Sequence, residues 1–235
     1  MQCAIISDIH SNIYALRVVV EEIKQLKVSK VIVLGDTFGY YPWAVETFDL
    51  LSSLPLIVIA GNHDQWVLTN KSPIPVPKYW KAAQDNSNKL LSLRPQAIDW
   101  LRNLQLSMRQ VIEGREILLV HGTPDNPSEG RFYPDDHQEY SWFPLNGQVL
   151  MLGHTHYPLY KVVKSGGVII NPGSVGQPRD GNPASSWCVL ETDDLSCVWK
   201  RTEYDYAETI NELVRLGWED LFIKALKKDY QGPLR

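Results

Sequence analysis

The fold of this chain follows from one stretch of sequence, Leu56-Ile57-Val58-Ile59-Ala60-Gly61-Asn62-His63-Asp64. Its short apolar run predicts a buried strand, which ends at a glycine followed by three side chains that handle metals or protons. An α/β protein presents its chemistry in this way, at the carboxyl end of a strand where the chain turns away from the sheet. The same arrangement recurs four more times: Cys3–Ser7 leads into Asp8-Ile9-His10, Val31–Leu34 into Gly35-Asp36, Ile117–Val120 into His121-Gly122, and Val149–Leu152 into Gly153-His154-Thr155-His156.

The histidines strengthen this pattern. The chain has six, and only His137 does not directly follow a predicted strand. Surface histidines would scatter along the sequence, and core histidines would lie within an apolar periodicity. We therefore interpret His137 as a surface residue and expect the other five to meet in one site: His10, His63, His121, His154 and His156.

Composition argues against several classes of protein. The net charge is −4 and the sequence contains no run of lysines or arginines, so a strong electrostatic grip on nucleic acid is not expected. No apolar stretch approaches the roughly 20 residues of a membrane span. Asp8 and His10 follow the N-terminus too closely for a cleavable signal peptide, so we expect no membrane association.

The chain has three cysteines, an odd number that cannot pair completely. A hairpin turn at Thr192–Leu195 would place Cys188 opposite Trp199 rather than opposite Cys197. A disulfide framework is therefore not expected, and a reducing cytoplasm is the predicted location.

The first half of the chain predicts β-α-β units. Helices are predicted at Ile13–Leu26 and Pro42–Leu51, between strands Cys3–Ser7, Val31–Leu34 and Leu56–Ala60, which implies parallel strands with right-handed crossovers. An irregular loop with Pro73, Pro75 and Pro77 should then precede helices at Lys78–Leu93 and Pro95–Leu104. A hairpin at Gly114 is expected to join strands Ser107–Glu113 and Arg115–Val120.

The second half begins with a long irregular stretch, residues 122–147, in which only Asp135–Trp142 has the pattern of a short helix. Such a stretch in a compact domain is usually functional. The strands that follow predict a predominantly antiparallel sheet, and Tyr206–Tyr230 predicts one or two helices broken near Gly217. These strands are Val149–Leu152, Leu159–Lys164, Val168–Ile170, Ser185–Glu191 and Leu195–Arg201.

The predicted fold class is a four-layer α/β/β/α sandwich of two mixed sheets. The length of 235 residues fits one domain, residues 1–235, with a C-terminal helical segment at about 204–230.

Seven strand-end side chains could bind metal. Carboxylate and amide oxygens mixed with imidazoles suit Mn²⁺, Fe or Zn²⁺ better than Ca²⁺, and the lack of a thiolate argues against a structural zinc site. Seven ligands are too many for one ion but fit two ions that share a carboxylate. We expect two divalent transition-metal ions, with manganese favoured over iron, zinc or nickel. The seven are Asp8, His10, Asp36, Asn62, His121, His154 and His156.

This series of motifs resembles the calcineurin-like metallophosphoesterase superfamily over about residues 3 to 175. The stretch from Asn171 to Gly181 is similar to the small bacterial and archaeal phosphodiesterase-like branch. The resemblance implies that Asp36 bridges the two ions and that His63 is a catalytic residue outside the ligand set. It assigns Asp8, His10 and His156 to the first ion, and Asn62, His121 and His154 to the second.

The resemblance also implies an activity, in which a metal-bridging hydroxide attacks a phosphoester in line. A serine/threonine protein phosphatase, a diadenosine tetraphosphate hydrolase and a non-catalytic scaffold are the alternatives. Protein phosphatases follow their Gly-Asp with Asp-Arg-Gly, whereas this chain has Gly35-Asp36-Thr37-Phe38-Gly39-Tyr40. A diester carries one negative charge and needs less cationic clamping. We therefore expect a small phosphodiester substrate, nucleotides included.

Four further residues have two interpretations each. Asn12 contacts the phosphate or caps the helix that follows it, and Asp64 orients His63 or caps the next helix. Arg179 binds a substrate oxyanion or forms a surface salt bridge. Tyr133 binds substrate, or packs its loop onto the body of the protein. The same choice, stacking on a base or packing the loop, applies to Tyr40, Tyr41, Trp43, Phe132, Trp142 and Phe143.

Overall fold

A computed structural model describes residues 1–71, 77–218 and 220–227 of the chain. The strands are β1 (Gln2–Ile6), β2 (Lys30–Val33), β3 (Leu56–Val58), β4 (Ser107–Ile112), β5 (Arg115–Val120), β6 (Val149–Met151), β7 (Pro158–Val162), β8 (Val168–Pro172), β9 (Ser185–Glu191) and β10 (Cys197–Thr202). The helices are α1 (Ile13–Leu26), α2 (Ala44–Leu51), α3 (Asn62–Thr69), α4 (Pro77–Leu93), α5 (Pro95–Asn103), α6 (Tyr206–Arg215) and α7 (Asp220–Leu226).

The described strands form two five-stranded sheets, in the orders β10-β9-β1-β2-β3 and β4-β5-β6-β8-β7. Both sheets are mixed, which confirms the predicted pair of mixed sheets. In the first sheet β1, β2 and β3 are parallel, and β9 and β10 add antiparallel strands at one side. Apolar side chains from both sheets, such as Ile5, Ile32, Leu119 and Ile170, form one buried cluster between them.

Helix α1 shows why the first sheet folds as predicted. Its buried residues include Ile13, Leu16 and Val19, which lie at the spacing of one helical face. Asn12 caps its start by accepting a hydrogen bond from the backbone N–H of Ala15, and the chain leaves the helix at Lys27 in a left-handed conformation. The helix packs this face against the first sheet, where it joins the cluster that contains Ala4 and Val33.

The prediction of a predominantly antiparallel second sheet is wrong. β5, β6 and β8 are parallel, and only β4 and β7 pair with them antiparallel. Parallel neighbours need a long connection, and residues 121–148 provide it between β5 and β6. The last two predicted strands, β9 and β10, join the first sheet instead.

The short helix predicted at Asp135–Trp142 is also wrong, since all these residues are described and none is helical. Asp136 accepts hydrogen bonds from the Gln138 backbone N–H and the Tyr140 hydroxyl, which holds the segment as a turn. Tyr140, Trp142 and other loop aromatics pack around Phe132 on the outer face of the second sheet. Tertiary burial of aromatic rings outweighs local helix propensity here.

Most element boundaries agree with the sequence to within a few residues. α2 begins at Ala44 rather than Pro42, and β3 ends at Val58 rather than Ala60. The break near Gly217 is confirmed, with φ +63° at that glycine, whereas the predicted end of the helical segment at 228–230 lies outside the described residues. The loop predicted around Pro73 and Pro75 lies outside them too.

The β9–β10 pairing places Trp199 opposite Cys188 and Leu190 opposite Cys197, as the sequence predicts. Each of the three cysteines lies in the described part of the chain and is a free thiol. Within the described ranges, every helix is too short or too polar to cross a bilayer.

Candidate metal centre

The candidate site lies where five parallel-strand ends meet. β1 leads to Asp8 and His10, β2 to Asp36 and β3 to Asn62 and His63. From the second sheet, β5 leads to His121, and β6 leads to His154 and His156. All eight side chains are buried, with His154 the most exposed at 9%.

The backbone turns sharply at these strand ends. Five of the residues have positive φ, a conformation that is uncommon outside glycine but most tolerated by Asp, Asn and His. They are Asp8 (φ 53°), His10 (51°), Asp36 (51°), His154 (66°) and His156 (65°). Such turns point the side chains back over the strand ends, towards a common centre.

A first group of ligand atoms comprises Asp8, His10 and His156. The Nε2 atoms of His10 and His156 are 3.1 Å apart, and Asp8 Oδ1 lies 3.2 Å from His156 Nε2 and 3.9 Å from His10 Nε2. One ligand atom from each residue lies within 4.8 Å of the others.

A second group comprises Asp36, His121 and His154, whose ligand atoms also lie within 4.8 Å of one another. His121 Nε2 is 3.3 Å from Asp36 Oδ2 and 3.2 Å from Asn62 Oδ1. The structure therefore brings together all seven predicted ligands.

Asp36 lies between the two groups. Its Oδ2 is 3.6 Å from His10 Nε2 and 3.3 Å from His121 Nε2, while its Oδ1 accepts a 2.8 Å hydrogen bond from the His63 backbone N–H. The close approach depends on Gly61, where a Cβ atom would lie 2.1 Å from Asp36 Oδ1. This geometry suits a carboxylate shared by two ions.

Backbone carbonyls orient two of the imidazoles. His121 Nδ1 is 2.7 Å from the Leu34 carbonyl oxygen, and His156 Nδ1 is 2.5 Å from that of Gln177. An Nδ1–H that donates to a carbonyl leaves the Nε2 lone pair free to bind a metal. In both rings that Nε2 faces the centre of the site.

The charge of the site favours a cation. Burial and the nearby cationic groups hold the pKa values of His10, His154 and His156 below the ordinary range. Burial would raise the pKa of Asp8, but His156 and His121 lower it to about 2. Burial opposes charging His121, yet the carboxylates of Asp36 and Asp8 raise its pKa to about 10.

The residues fit a pair of metal ions. Asp8 Oδ1 is buried and receives no aligned hydrogen bond within the described part of the chain, although an ionised carboxylate is costly to bury unpaired. Imidazole nitrogens and ionised carboxylates at close range are the donor set that divalent transition metals prefer, and a metal ion bound at the second group would displace the proton of His121.

His63 is placed by its neighbours. Its ring lies 4.0 Å from the ring of Trp66 and 4.6 Å from that of Tyr40, between centroids. Burial lowers its pKa to about 4, although Asp36 opposes the shift. His10, Asp36 and His63 also have ligand atoms within 4.8 Å of one another, so geometry permits His63 to act either as a ligand or beside the ligands.

Two of the ambiguous residues are helix caps. Asp64 Oδ2 accepts from the Gly61 backbone N–H and Oδ1 from that of Phe38, both at 3.0 Å. The substrate contact predicted for Asn12 is not supported, because its side chain is fully buried and used internally. Its Oδ1 caps α1, and its Nδ2 donates to the Gly176 carbonyl and the Tyr204 hydroxyl.

Arg179 and Tyr133 lie next to the site. Arg179 Nη2 donates to the Tyr40 hydroxyl at 3.0 Å, and its charge helps to lower the pKa of His10, His63 and His156. Tyr133 is half-buried, with its ring centroid 5.7 Å from that of Tyr157, the residue after His156.

Most of the loop aromatic side chains pack inside the protein and do not offer an exposed surface to a substrate. Tyr40, Tyr41, Trp43 and Phe132 are buried, with Tyr40 exposed by 5% and Tyr41 by 0%. Stacking on a nucleobase is therefore excluded for these two tyrosines in this conformation. His137 is exposed, as predicted.

Sequence reasoning missed Arg131. This residue is exposed, and its Nε lies 3.3 Å from His154 Nε2. The only signal was its position in the irregular stretch 122–147, since no motif contains it. Arg131 thus lies beside a residue of the second ligand group, and Arg179 lies near His10 and His156 of the first.

Comparisons with known proteins identify the family. The model of the "Calcineurin-like phosphoesterase superfamily domain" matches residues 1–195. An uncharacterised protein of Methanocaldococcus jannaschii is 31% identical over 230 residues, covering 90% of this chain and 91% of its own. The phosphodiesterase YfcE of Escherichia coli is 26% identical over 212 residues, covering 84% and 91%.

One solved structure is similar over nearly the full length. It is a metallophosphoesterase from Sphaerobacter thermophilus, with 30% sequence identity and a TM-score of 0.79. The alignment covers 96% of this chain and 98% of that one. Most of the chain after residue 195 therefore has a counterpart there.

Proposed function

This chain belongs to the calcineurin-like phosphoesterase superfamily and is a metal-dependent phosphoesterase, and from that premise we propose that it hydrolyses small phosphodiesters at a centre of two metal ions. The observation that carries the two-ion proposal is Asp36, whose Oδ2 lies within 3.6 Å of His10 Nε2 and 3.3 Å of His121 Nε2. The first ion is assigned to Asp8, His10 and His156, and the second to Asn62, His121 and His154.

Two such ions, when bound, would supply a nucleophile at neutral pH and neutralise charge on the phosphoryl group. The protein's own part is to hold the buried ligand side chains together and to place His63 beside them. With a pKa near 4, His63 is neutral at pH 7. It therefore offers an N–H hydrogen bond, rather than a positive charge, to the oxygen that departs.

The choice of a diester rests on two observations. The relative YfcE is named a phosphodiesterase, and the half-buried rings of Tyr133 and Tyr157, the residue after His156, pack against each other and offer apolar surface for a second substituent. Small nucleotides are the class proposed. A manganese pair and a cytoplasmic location are also proposed, the latter supported by three free thiols.

Arg131 and Arg179 favour the other substrate class, phosphomonoesters. The sequence argument for a diester assumed that few cationic side chains lie near the metal ligands. The presence of these two guanidiniums weakens that argument. A dianionic monoester gains more than a diester from two guanidiniums. The relative rates of the two classes therefore decide between them.

We predict a higher kcat/KM for an aryl phosphodiester than for the aryl monoester with the same leaving group, both in saturating Mn²⁺. The metal content of the purified protein should be measured in parallel. A clear preference for the monoester would contradict the diester assignment while leaving the two-ion centre intact.

The bridging role of Asp36 has its own test. We predict that Asp36→Asn weakens both metal sites and abolishes turnover, because the amide oxygen is a poor bridging ligand. The Mn²⁺ stoichiometry by equilibrium dialysis and the hydrolysis rate report the two effects. Retention of both ions at wild-type affinity would contradict the assignment of Asp36 as the bridging ligand.

A further inference from the structure

Tyr40 lies at the centre of an aromatic stack that runs into the candidate site. Its ring is stacked on His10, with centroids 3.8 Å apart and planes 18° apart. The opposite neighbour is Phe222 of α7, at 5.2 Å and 23°. His63 meets the stack edge-on, 4.6 Å from Tyr40 and 4.8 Å from His10.

The C-terminal segment, residues 204–218 and 220–226, holds this stack from outside. The Trp218 indole N–H donates a 2.8 Å hydrogen bond to the Tyr40 carbonyl oxygen. Tyr204 accepts from Asn12 Nδ2, two residues after His10. This segment lies beyond residues 1–195, which the family model matches, so its contacts add to what the shared domain provides.

His10 differs from the other imidazoles in how it is oriented. His121 and His156 each have Nδ1 beside a carbonyl oxygen, but His10 Nδ1 has no hydrogen-bond partner among the described residues. The position next to it is Gly39, where a Cβ atom would come within 2.5 Å of Nδ1. A metal-ligating histidine is normally held by a bond at its other nitrogen. His10 has a stacked tyrosine instead.

We infer that Tyr40 and Phe222 are positioning residues for the first metal site, and that the C-terminal segment sets the affinity of that site by fixing the His10 ring. This inference rests on the proposed two-ion centre. Stacking of aromatic rings has a preferred geometry, so the loss of the Phe222 ring removes the contact that fixes the tilt of the Tyr40 ring from one side. The Nε2 of His10 then loses its alignment with Asp8 and His156.

The test is a calorimetric titration of Mn²⁺ into the metal-free full-length protein. Phe222→Leu should raise the Kd of the first ion by about 10-fold, the lower end of what outer-shell changes cost, and leave the second within twofold. The first ion is identified by comparison with His156→Gln, which removes a ligand of that set. Ile223→Val is the matched control, because Ile223 is buried in the same helix.

Each outcome is decisive. Phe222→Leu titrating like Ile223→Val, at comparable unfolding midpoints, would overturn the inference. Equal weakening of both ions would do the same, since it indicates general loosening. If Phe222→Leu does not fold, Trp218→Phe replaces it, and an unchanged Kd for the first ion would again refute the role. A wild-type protein that binds fewer than two ions contradicts the proposed function itself.

Discussion

His63 is a residue whose chemistry is set by its surroundings. Its backbone N–H is bound to Asp36, and its ring lies among Trp66, Tyr40 and His10. The sequence motif identified the residue but not these rings, because Tyr40 and Trp66 reach it only after α3 and the preceding loop have packed. Its lowered pKa is therefore a property of the folded protein.

For His63→Gln we predict two bound metals and a rate lower by about 10²-fold or more, the usual loss when a hydrogen-bond donor that stabilises the transition state is removed. Metal content and single-turnover hydrolysis separate the two effects. His137→Gln is the matched control, because His137 is exposed and should not affect either value. Loss of an ion in His63→Gln would show that His63 is a ligand.

At the scale of elements, the helices and strands with a clear apolar periodicity could be predicted from the sequence. The pairing of the strands could not. α1 agrees with its predicted range to the residue because its apolar spacing and its Asn12 cap are both local signals. The parallel pairing of β5 with β6 has no local signal, since it depends on where the stretch 122–147 lies. The same stretch hides Arg131, which reaches His154 only through the folded loop.

We predict that Arg131→Gln raises KM for phosphoester substrates by roughly 10-fold, because a hydrogen bond to a charged group contributes about 1.5–3 kcal/mol. The exposed guanidinium next to His154 is well placed to meet a phosphate oxygen. Steady-state kinetics with aryl mono- and diesters measure the effect, which should be larger for the dianionic monoester. Arg102→Gln, on an exposed ion pair with Asp99, is the control, and equal kinetics for the two variants would exclude this role.

At the scale of the whole molecule, the buried histidines link stability to pH. Burial lowers four of their pKa values below the ordinary 6.5: those of His10, His63, His154 and His156. The unfolded chain therefore binds more protons than the folded chain once the pH falls below 6.5, and stability falls with it. Asp64 acts in the opposite sense, because burial and Asp36 raise its pKa to about 7.

The four histidines outnumber Asp64, so we predict that the metal-free protein loses stability between pH 6.5 and about pH 4. His121 adds little slope below pH 6.5, since its pKa of about 10 keeps it protonated in the folded chain and its ordinary pKa of about 6.5 leaves it protonated in the unfolded chain. Each net proton changes the free energy of unfolding by about 1.4 kcal/mol per pH unit. Urea midpoints at pH 7 and pH 5 test this, and a midpoint that rises on acidification would contradict it.

The left-handed backbone at five strand ends has a consequence for how this protein can evolve. Each such residue costs folding free energy, on the order of 1–3 kcal/mol where the conformation is strained. Asp8, His10 and Asp36 are among the five, so the substitutions that relax the backbone there, to glycine above all, are also those that remove a ligand. The same substitutions therefore inactivate the protein and raise its thermal stability. A descendant that is no longer selected for turnover would therefore become more stable and catalytically inactive. It would keep the same surface, which remains available for binding other molecules.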